Sequence, residues 1–246
     1  MCVDMFECSF IRRVRSMPRF VPCDERDEEV WAMGFPSWRA IFSALCLYGH
    51  STGYRLPTYS RFFNQVRYAF CHVHPDRDRF RRYFREPLLD GMRQRVSVWY
   101  ESGMCETFLY VCLVEAIEDK SKVGIVLYDS RIDWKMKTDL IVLVGGKAIR
   151  INAFWGEEGS RPGAERRRDE VEVARKWNTM ESSHWRNRGL EDMRELRISR
   201  TDQDCQEVNG LRLFSVESVN SLLERIYCHA GVCGGYFFRL SKAGYK

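Results

Sequence analysis

The spacing of apolar residues predicts a mostly helical N-terminal region over residues 28–103. Apolar side chains recur every three or four positions in Pro36–Gly49, and aromatic residues recur among arginines in Tyr59–Arg85. The pair His74-Pro75 interrupts the second of these patterns, because a proline cannot continue a helix. Residues 1–27 keep no sustained period, so we expect them to form an irregular N-terminal arm.

The pattern stays helical to about residue 120 and includes one acid on an apolar surface. We expect one helix to end and a second to begin at Gly103. The second helix carries Glu115 on the same face as Phe108 and Cys112, since residues three and four apart are neighbours on a helix. Glu115 is therefore either a buried carboxylate that needs a partner, or it reaches water beside Glu118.

Beyond residue 120 the pattern changes to short strands. Three runs are predicted to be strands: VGIVLYD, DLIVLV and KAIRINAFW. The second run begins at Asp139 and is apolar throughout, which is typical of a strand covered on both faces. Gly145-Gly146 favours a tight hairpin between the second and third runs. Alternation in the third run places Arg150 and Asn152 on one face, on a strand antiparallel to the one that Asp139 opens.

A helix, two strands and a last helix complete the pattern. Pro162 is suited to the first turn of an arginine-rich helix, and the runs MRELRIS and LRLFS predict strands. Ser215 is suited to cap the last helix, and Gly231 to end it. The chain is thus predicted to have four segments: an arm over 1–27, a helical region over 28–103, an α/β domain over 104–230 and a tail over 231–246.

Composition limits the class of protein. The 246 residues are enough for a sizeable core, and no apolar run reaches the length of a membrane span. The N-terminal residues lack the regions of a signal peptide, so we expect an intracellular protein, cytoplasmic or nuclear, that is not secreted. Most of the ten cysteines are then expected to be buried thiols. A zinc site from two clusters is the alternative, although its spacing is looser than structural zinc sites usually have. The clusters are CHVH, with Cys71, His72 and His74, and CHAGVC, with Cys228, His229 and Cys233.

The positions of the positive charges along the chain indicate more about possible binding partners than the net charge of +5 does. Arginines are concentrated in Arg77–Arg85, where they alternate with aromatic residues, and on the helix that follows Pro162. Such patches suit phosphate backbones, and the alternative is that they are solvated helix faces. The candidate nucleic-acid-binding residues are Arg81, Arg82, Arg150, Arg166, Arg167 and Arg168.

The order of elements in the second half, with Glu115 on the first helix and Asp139 opening the second strand, resembles the PD-(D/E)XK nuclease superfamily. That superfamily includes restriction enzymes, resolvases and transposon-end nucleases. The resemblance covers about Met104 to Tyr227. It implies an α/β protein with a restriction-endonuclease-like αβββαβ core and a mostly helical N-terminal extension. It also implies phosphodiester hydrolysis at Mg²⁺ or Mn²⁺, with Asp139 as the principal metal ligand and Glu115 assisting.

The third strand departs from the motif of that superfamily. Where the superfamily has a glutamate or glutamine and a lysine two residues apart, this chain has Arg150 and Asn152. Arginine cannot ligate a cation, and asparagine offers a carbonyl oxygen but cannot activate water as a lysine does. Under the resemblance, Lys176 is the candidate for the missing lysine, and Asp129 and Asp133 are candidates for another carboxylate.

The sequence therefore predicts a nucleic-acid-binding protein with a nuclease-like fold, and DNA is favoured over RNA as its partner. Two forms of this prediction stay open, a metal-dependent endonuclease and a catalytically inactive binder. The alternative class is a protein–protein adaptor or a subunit of a larger complex, because seven tryptophans would supply interface anchors.

Overall fold

The computed structural model describes residues 5–35, 38–47, 56–128, 138–155, 193–201 and 203–232. Contacts between residues divide the chain into two compact units. The helical unit comprises Met5–Phe108 and Glu207–Leu213. The sheet unit comprises Leu109–Gln206 and, among the described C-terminal residues, 214–232. The division thus falls at Phe108 and Leu109, where the apolar pattern had indicated 103 and 104.

Helices account for most of the helical unit, as the apolar spacing predicted. They are α1 (Met5–Arg15), α2 (Glu28–Ala32), α3 (Arg39–Leu47), α4 (Tyr59–Tyr68), α5 (Arg77–Arg81) and α6 (Leu89–Leu113, of which the residues up to Phe108 belong to this unit). A π-helical turn, Ala69–Val73, continues α4 and ends where His74 adopts extended backbone. The predicted break at His74-Pro75 is therefore confirmed, with α5 following it.

The N-terminal segment agrees only in part with the predicted irregular arm. It begins with α1, whereas residues 18–27, which we call the strap, form neither helix nor strand. The side-chain amide of Asn209 donates to the backbone oxygens of Val14 and Met17, each at 2.9 Å. The backbone N–H of Phe20 in turn donates to the backbone oxygen of Asn209 at 3.0 Å. These bonds give the end of α1 partners from a turn far along the chain, in addition to the local bond from the Met17 N–H to the Val14 oxygen at 3.1 Å. The segment is ordered by a turn late in the chain, which local periodicity cannot reveal.

Gly103 lies inside α6, although the sequence predicted that two helices would meet there. A Cβ at this position would lie 2.7 Å from the ring of Phe42. The Phe42 ring packs edge-on against Phe62 and Tyr100, with centroids 5.2 and 6.3 Å away, and all three side chains are buried. Glycine is needed here for the close approach of an aromatic core, and the helix continues through it.

The described strands of the sheet unit form a mixed four-stranded sheet in the order β1-β2-β3-β4. They are β1 (Gly124–Leu127), β2 (Leu140–Val144), β3 (Lys147–Trp155) and β4 (Arg194–Arg200). β2 runs antiparallel to β1 and to β3, whereas β4 runs parallel to β3. Two further strands, β5 (Cys205–Val208) and β6 (Leu211–Phe214), pair separately, and α7 (Val216–Ala230) follows them.

One face of the sheet is buried and the other is partly exposed. Val142, Ile149 and Ile151 are fully buried, and α7 packs against β2 and β4. Each such aliphatic side chain contributes about 1.5–3 kcal/mol when it is buried on folding. On the opposite face Leu143 is 37% exposed and its register partner Ile125 is 53% exposed. The expectation that both faces of β2 are covered therefore fails at Leu143.

Local signals at the ends of elements agree with the sequence. Ser215 accepts the backbone N–H of Ser218 through its hydroxyl at 3.1 Å and caps α7, as predicted. Gly231 ends α7 in the left-handed conformation, and Gly145 and Gly146 turn between β2 and β3 with positive φ. The described residues include no helix that is long and apolar enough to cross a membrane.

Candidate functional site

Asp139 lies immediately before β2 and is tied to β3. Its backbone N–H donates to the backbone oxygen of Ile151 and to Oδ1 of Asn152, each at 3.2 Å. Its carboxylate accepts the backbone N–H of Ala153 through Oδ2 at 2.7 Å. Asp139 is buried, so its carboxylate has a defined position at the start of the β2–β3 ladder, where the sequence predicted it.

Polar side chains continue from Asp139 across the partly exposed face of the sheet. Arg150 of β3 pairs in register with Glu195 of β4, and Asn152 pairs with Arg197 two residues further on. We call the five residues the polar row: Asp139, Arg150, Asn152, Glu195 and Arg197. Asn152 lies at its centre, because its Oδ1 accepts from Asp139 while its amide donates to Oε1 of Glu195 at 3.0 Å.

Glu195 is the charged centre of the polar row. Arg197 donates to its Oε1 through Nε at 2.8 Å, and a guanidinium nitrogen of Arg150 lies 4.0 Å from its Oε2. Burial raises the pKa of Glu195, but the hydrogen bonds from Arg197 and Asn152 and the charges of both arginines outweigh it. The pKa of Glu195 is therefore held below its ordinary value, and the carboxylate is ionised at neutral pH.

Glu115 lies in a π-helical turn, Val114–Lys120, that continues α6. Only 1% of this residue is exposed, so the choice between burial and water that the sequence left open is settled as burial. Its neighbours Ala116 and Ile117 are also fully buried. The hydroxyl of Tyr227 in α7 lies within hydrogen-bonding distance of the backbone oxygen of Ala116, at 3.4 Å. Glu115 and Asp139 thus belong to the same unit, and both are buried.

The polar row by itself does not fit Mg²⁺ or Mn²⁺. Among the described residues no group of three or more histidine, cysteine, aspartate or glutamate side chains is arranged to hold a metal ion. Octahedral coordination of Mg²⁺ requires several oxygen ligands around one point. In the polar row, Oδ2 of Asp139 already accepts a backbone N–H, and Glu195 lies between two guanidinium groups that would repel a cation. The metal site predicted at Asp139 and Glu115 therefore stays a prediction.

The predicted nucleic-acid-binding arginines of the helical unit make intramolecular contacts. Arg81 donates to the backbone oxygen of Cys71 at 3.1 Å and to the carboxylate of Asp78 at 2.8 Å. Arg82 pairs with Glu29 at 2.7 Å, while more than half of both side chains is exposed. Exposed ion pairs of this kind contribute about 0–1 kcal/mol, so a phosphate can compete for either arginine.

Several predicted site residues lie outside the part of the chain that the structure describes. They are Asp129, Asp133, Arg166, Arg167, Arg168 and Lys176. The predictions made for these residues are therefore neither supported nor opposed by the geometry of the polar row.

Glu195 and Arg197 were not identified as site residues from the sequence. The run MRELRIS was predicted to be a strand, and its alternation would have placed both residues on one face. What the sequence lacked was the neighbour of this strand, because parallel pairing with β3 joins residues more than 40 positions apart. The sequence thus indicated a polar face on this strand, but it did not indicate that the strand pairs with β3.

No protein-family model matches the chain, and neither curated proteins nor solved structures gave a match.

Proposed function

We propose that this chain is a nucleic-acid-binding protein built on a restriction-endonuclease-like core. The observation that carries the proposal is a mixed sheet in which Asp139 opens β2 and lies beside Asn152 of β3. The parallel pair β3–β4 supports it further, since such a pair needs a crossover connection. The sequence between these strands predicts the helix that a nuclease-like core has there.

The polar row favours binding over cleavage as the main activity. The two positions of β3 that would carry a metal-binding glutamate and a lysine in the superfamily carry Arg150 and Asn152. Arg150 lies beside Glu195, and Asn152 holds Asp139 and Glu195 in place. Both side chains therefore stabilise the sheet and its charges, and neither supplies the chemistry of the residue that it replaces.

Arginine contacts to phosphate would supply the affinity. The arginines proposed for this role are Arg81, Arg82, Arg150, Arg166, Arg167 and Arg168. Each phosphate that a guanidinium neutralises releases condensed counterions, so binding weakens steeply as salt rises. We expect DNA to be bound in preference to RNA, because the superfamily that the core resembles acts mainly on DNA.

Phosphodiester hydrolysis is the second candidate activity. It is favoured by the burial of Glu115 and Asp139 in one unit, at the positions where the superfamily has its acids. In that case Asp139 and Glu115 would be the Mg²⁺ or Mn²⁺ ligands and Lys176 would replace the missing lysine. The ion would lower the pKa of a bound water and neutralise charge on the phosphate.

Binding is tested by fluorescence anisotropy with labelled DNA and RNA at low and at physiological salt. The proposal predicts binding that falls steeply with salt, by about 0.7 to 0.9 in log K per unit of log salt for each phosphate contacted. An adaptor protein predicts little binding and no steep slope. Absence of binding to either polymer at low salt would overturn the proposed function.

Cleavage is tested with supercoiled plasmid and with single-stranded DNA in the presence of Mn²⁺ or EDTA. Asp139→Asn is the decisive variant, because the amide oxygen still accepts the N–H of Ala153 while the charge is lost. Asp119→Asn is the matched control, since this acid of the sheet unit is about half exposed. Cleavage lost only in Asp139→Asn supports the second candidate, and cleavage unchanged in both rules out Asp139 as the ligand.

A further inference from the structure

Two aromatic rings stack on the surface of the helical unit where α4 passes into its π-helical turn. The rings of Tyr68 and His72 lie 5.5 Å apart at 28° to each other. Tyr68 is 55% exposed, and the neighbouring Val73 is 65% exposed. Phe62 of the same helix is fully buried, whereas Tyr68 and His72 are exposed, so this stacked pair leaves apolar surface in water. Apolar surface that is kept exposed beside polar groups is typical of a binding site.

The segment of the chain that contains this pair is rich in positive charge. Residues 60–86 contain seven arginines against three acids, so this segment carries four of the five net positive charges of the whole chain. Arg67 and Arg85 are exposed, and the side chain of neither makes a hydrogen bond or ion pair with another described residue. Arg81 donates to the backbone oxygen of Cys71 in the π-helical turn at 3.1 Å, and Arg67 lies in the last turn of α4 directly before it. Consistent with this, burial raises the pKa of the Cys71 thiol, while the charges of Arg67, Arg81 and Arg85 partly offset that effect.

Buried contacts fix the backbone that follows the stacked pair, because they join the π-helical turn to α5. Phe70 and Phe80 are buried with their ring centroids 5.5 Å apart. His74 packs edge-on against Phe80 at 4.9 Å, and its Nδ1 accepts the backbone N–H of Asp76 at 3.0 Å. Ligand binding would consequently require little reordering of this surface, which reduces its entropic cost.

We propose that Tyr68, His72, Arg67 and Arg85 form a surface that binds unpaired bases of single-stranded nucleic acid. The inference rests on the proposed function and specifies which form of nucleic acid the helical unit prefers. The exposed rings stack on splayed bases, while the two arginines contact the phosphates on either side. A base in a duplex is already stacked on its neighbours and does not offer its face to Tyr68 or His72. Arginines alone would contact phosphates and would not distinguish a single strand from a duplex. The aromatic pair is what gives preference to single strands.

The test compares a labelled single-stranded oligonucleotide with a duplex of the same sequence by anisotropy, using the full chain. Tyr68→Ala is expected to weaken single-strand binding about fivefold or more, the effect of removing one base–aromatic stack, and to leave duplex binding nearly unchanged. Tyr68→Phe keeps the ring and is expected to bind as the parent does. Because Tyr68 is mostly exposed, both variants should fold, which circular dichroism and thermal unfolding would verify.

A matched pair of charge variants separates this surface from general attraction. Arg67→Gln is expected to lower the salt slope for the single strand by about 0.7, the value of one phosphate contact. Arg12→Gln removes the same charge from an exposed position of α1 in the same unit and is expected to change the slope less. Equal binding of single strand and duplex, unaffected by Tyr68→Ala, would overturn the inference while the proposed function stands. Failure to bind any nucleic acid would instead overturn the proposed function, and this inference with it.

Discussion

The side-chain amide of Asn152 donates a hydrogen bond to Oε1 of Glu195 at 3.0 Å, across the parallel strands β3 and β4. Through its carbonyl oxygen the same side chain accepts the backbone N–H of Asp139 at 3.2 Å. One amide thus connects the start of β2 with β4, using both its donor and its acceptor. At the position where the resemblance would place a lysine, the chain has a residue that holds the sheet together.

Asn152→Ala tests this connecting role. The variant removes a donor to the ionised Glu195 and one of two acceptors of the Asp139 N–H, so we expect the free energy of unfolding to fall by about 1–3 kcal/mol. Urea denaturation followed by circular dichroism measures the change. Asn64→Ala, at an exposed position of α4, is the control and should change stability by less than about 0.5 kcal/mol. Equal effects of the two variants would show that the hydrogen bonds of Asn152 do not contribute to the free energy of unfolding.

The lowered pKa of Glu195 makes its contribution to stability dependent on pH. A carboxyl whose pKa is lower in the folded than in the unfolded protein binds fewer protons when folded, so it stabilises the fold above its unfolded pKa. We expect the parent to be more stable than Glu195→Gln above pH 4.5, the ordinary value for this group. The difference should shrink as pH falls through the lowered pKa and should vanish at still more acidic pH. Urea unfolding at a series of pH values measures it, and a difference independent of pH would contradict the assignment.

Among the described glycines with positive φ, Gly210 is expected to lose the most stability when it is replaced by alanine. Its φ is +83°, and a Cβ there would lie 1.9 Å from the backbone oxygen of Phe20. Gly146 is the second residue of the turn between β2 and β3, as Gly210 is of the turn between β5 and β6. Its φ is +74°, and a Cβ there would have nothing within 4 Å. Gly146→Ala should therefore cost about 1–3 kcal/mol from backbone strain alone. Gly210→Ala should cost more, because the strap at Phe20 must move and its hydrogen bond to Asn209 is lost.

Thermal unfolding of the two alanine variants measures this difference. A larger fall of the melting temperature in Gly210→Ala would show that the N-terminal strap contributes to stability. Equal falls would mean that the contact at Phe20 adds nothing beyond the strain of the turn.

Glu29 is expected to act as an internal competitor for phosphate, because it pairs with Arg82 at 2.7 Å on the surface of the helical unit. Glu29→Gln removes the ion pair and one negative charge and leaves Arg82 with its hydrogen bond to the Tyr83 hydroxyl, so we expect tighter binding of DNA and a salt slope steeper by up to about 0.9. Glu28→Gln is the matched control, since Glu28 pairs instead with Arg26 at 2.9 Å. Anisotropy titrations at several salt concentrations measure both, and equal effects would mean that only net charge matters.

Much of the fold could be predicted from the sequence because its signals are local. The alternation of KAIRINAFW placed Arg150 and Asn152 on one face, and Gly145-Gly146 predicted the hairpin that aligns Asp139 with β3. The mixed α/β character and the helical N-terminal half followed from periodicity in the same way. Such signals act between residues a few positions apart, so they can be found without knowing what each element packs against.

The tertiary structure decided which residues meet. Glu195 is the partner of Asn152 only through the pairing of β3 with β4, and the reason for a glycine at position 103 is the ring of Phe42 packed against it. Arg82 likewise forms an ion pair with Glu29, which lies far earlier in the chain. Strand order, register and close packing depend on interactions summed over the whole unit, whereas turns, caps and periodic faces depend on neighbouring residues. For this reason the sequence alone determined most of the helices, strands and turns and the alternation of side chains along β3. The tertiary structure determined α1, the single helix through Gly103 and the polar row.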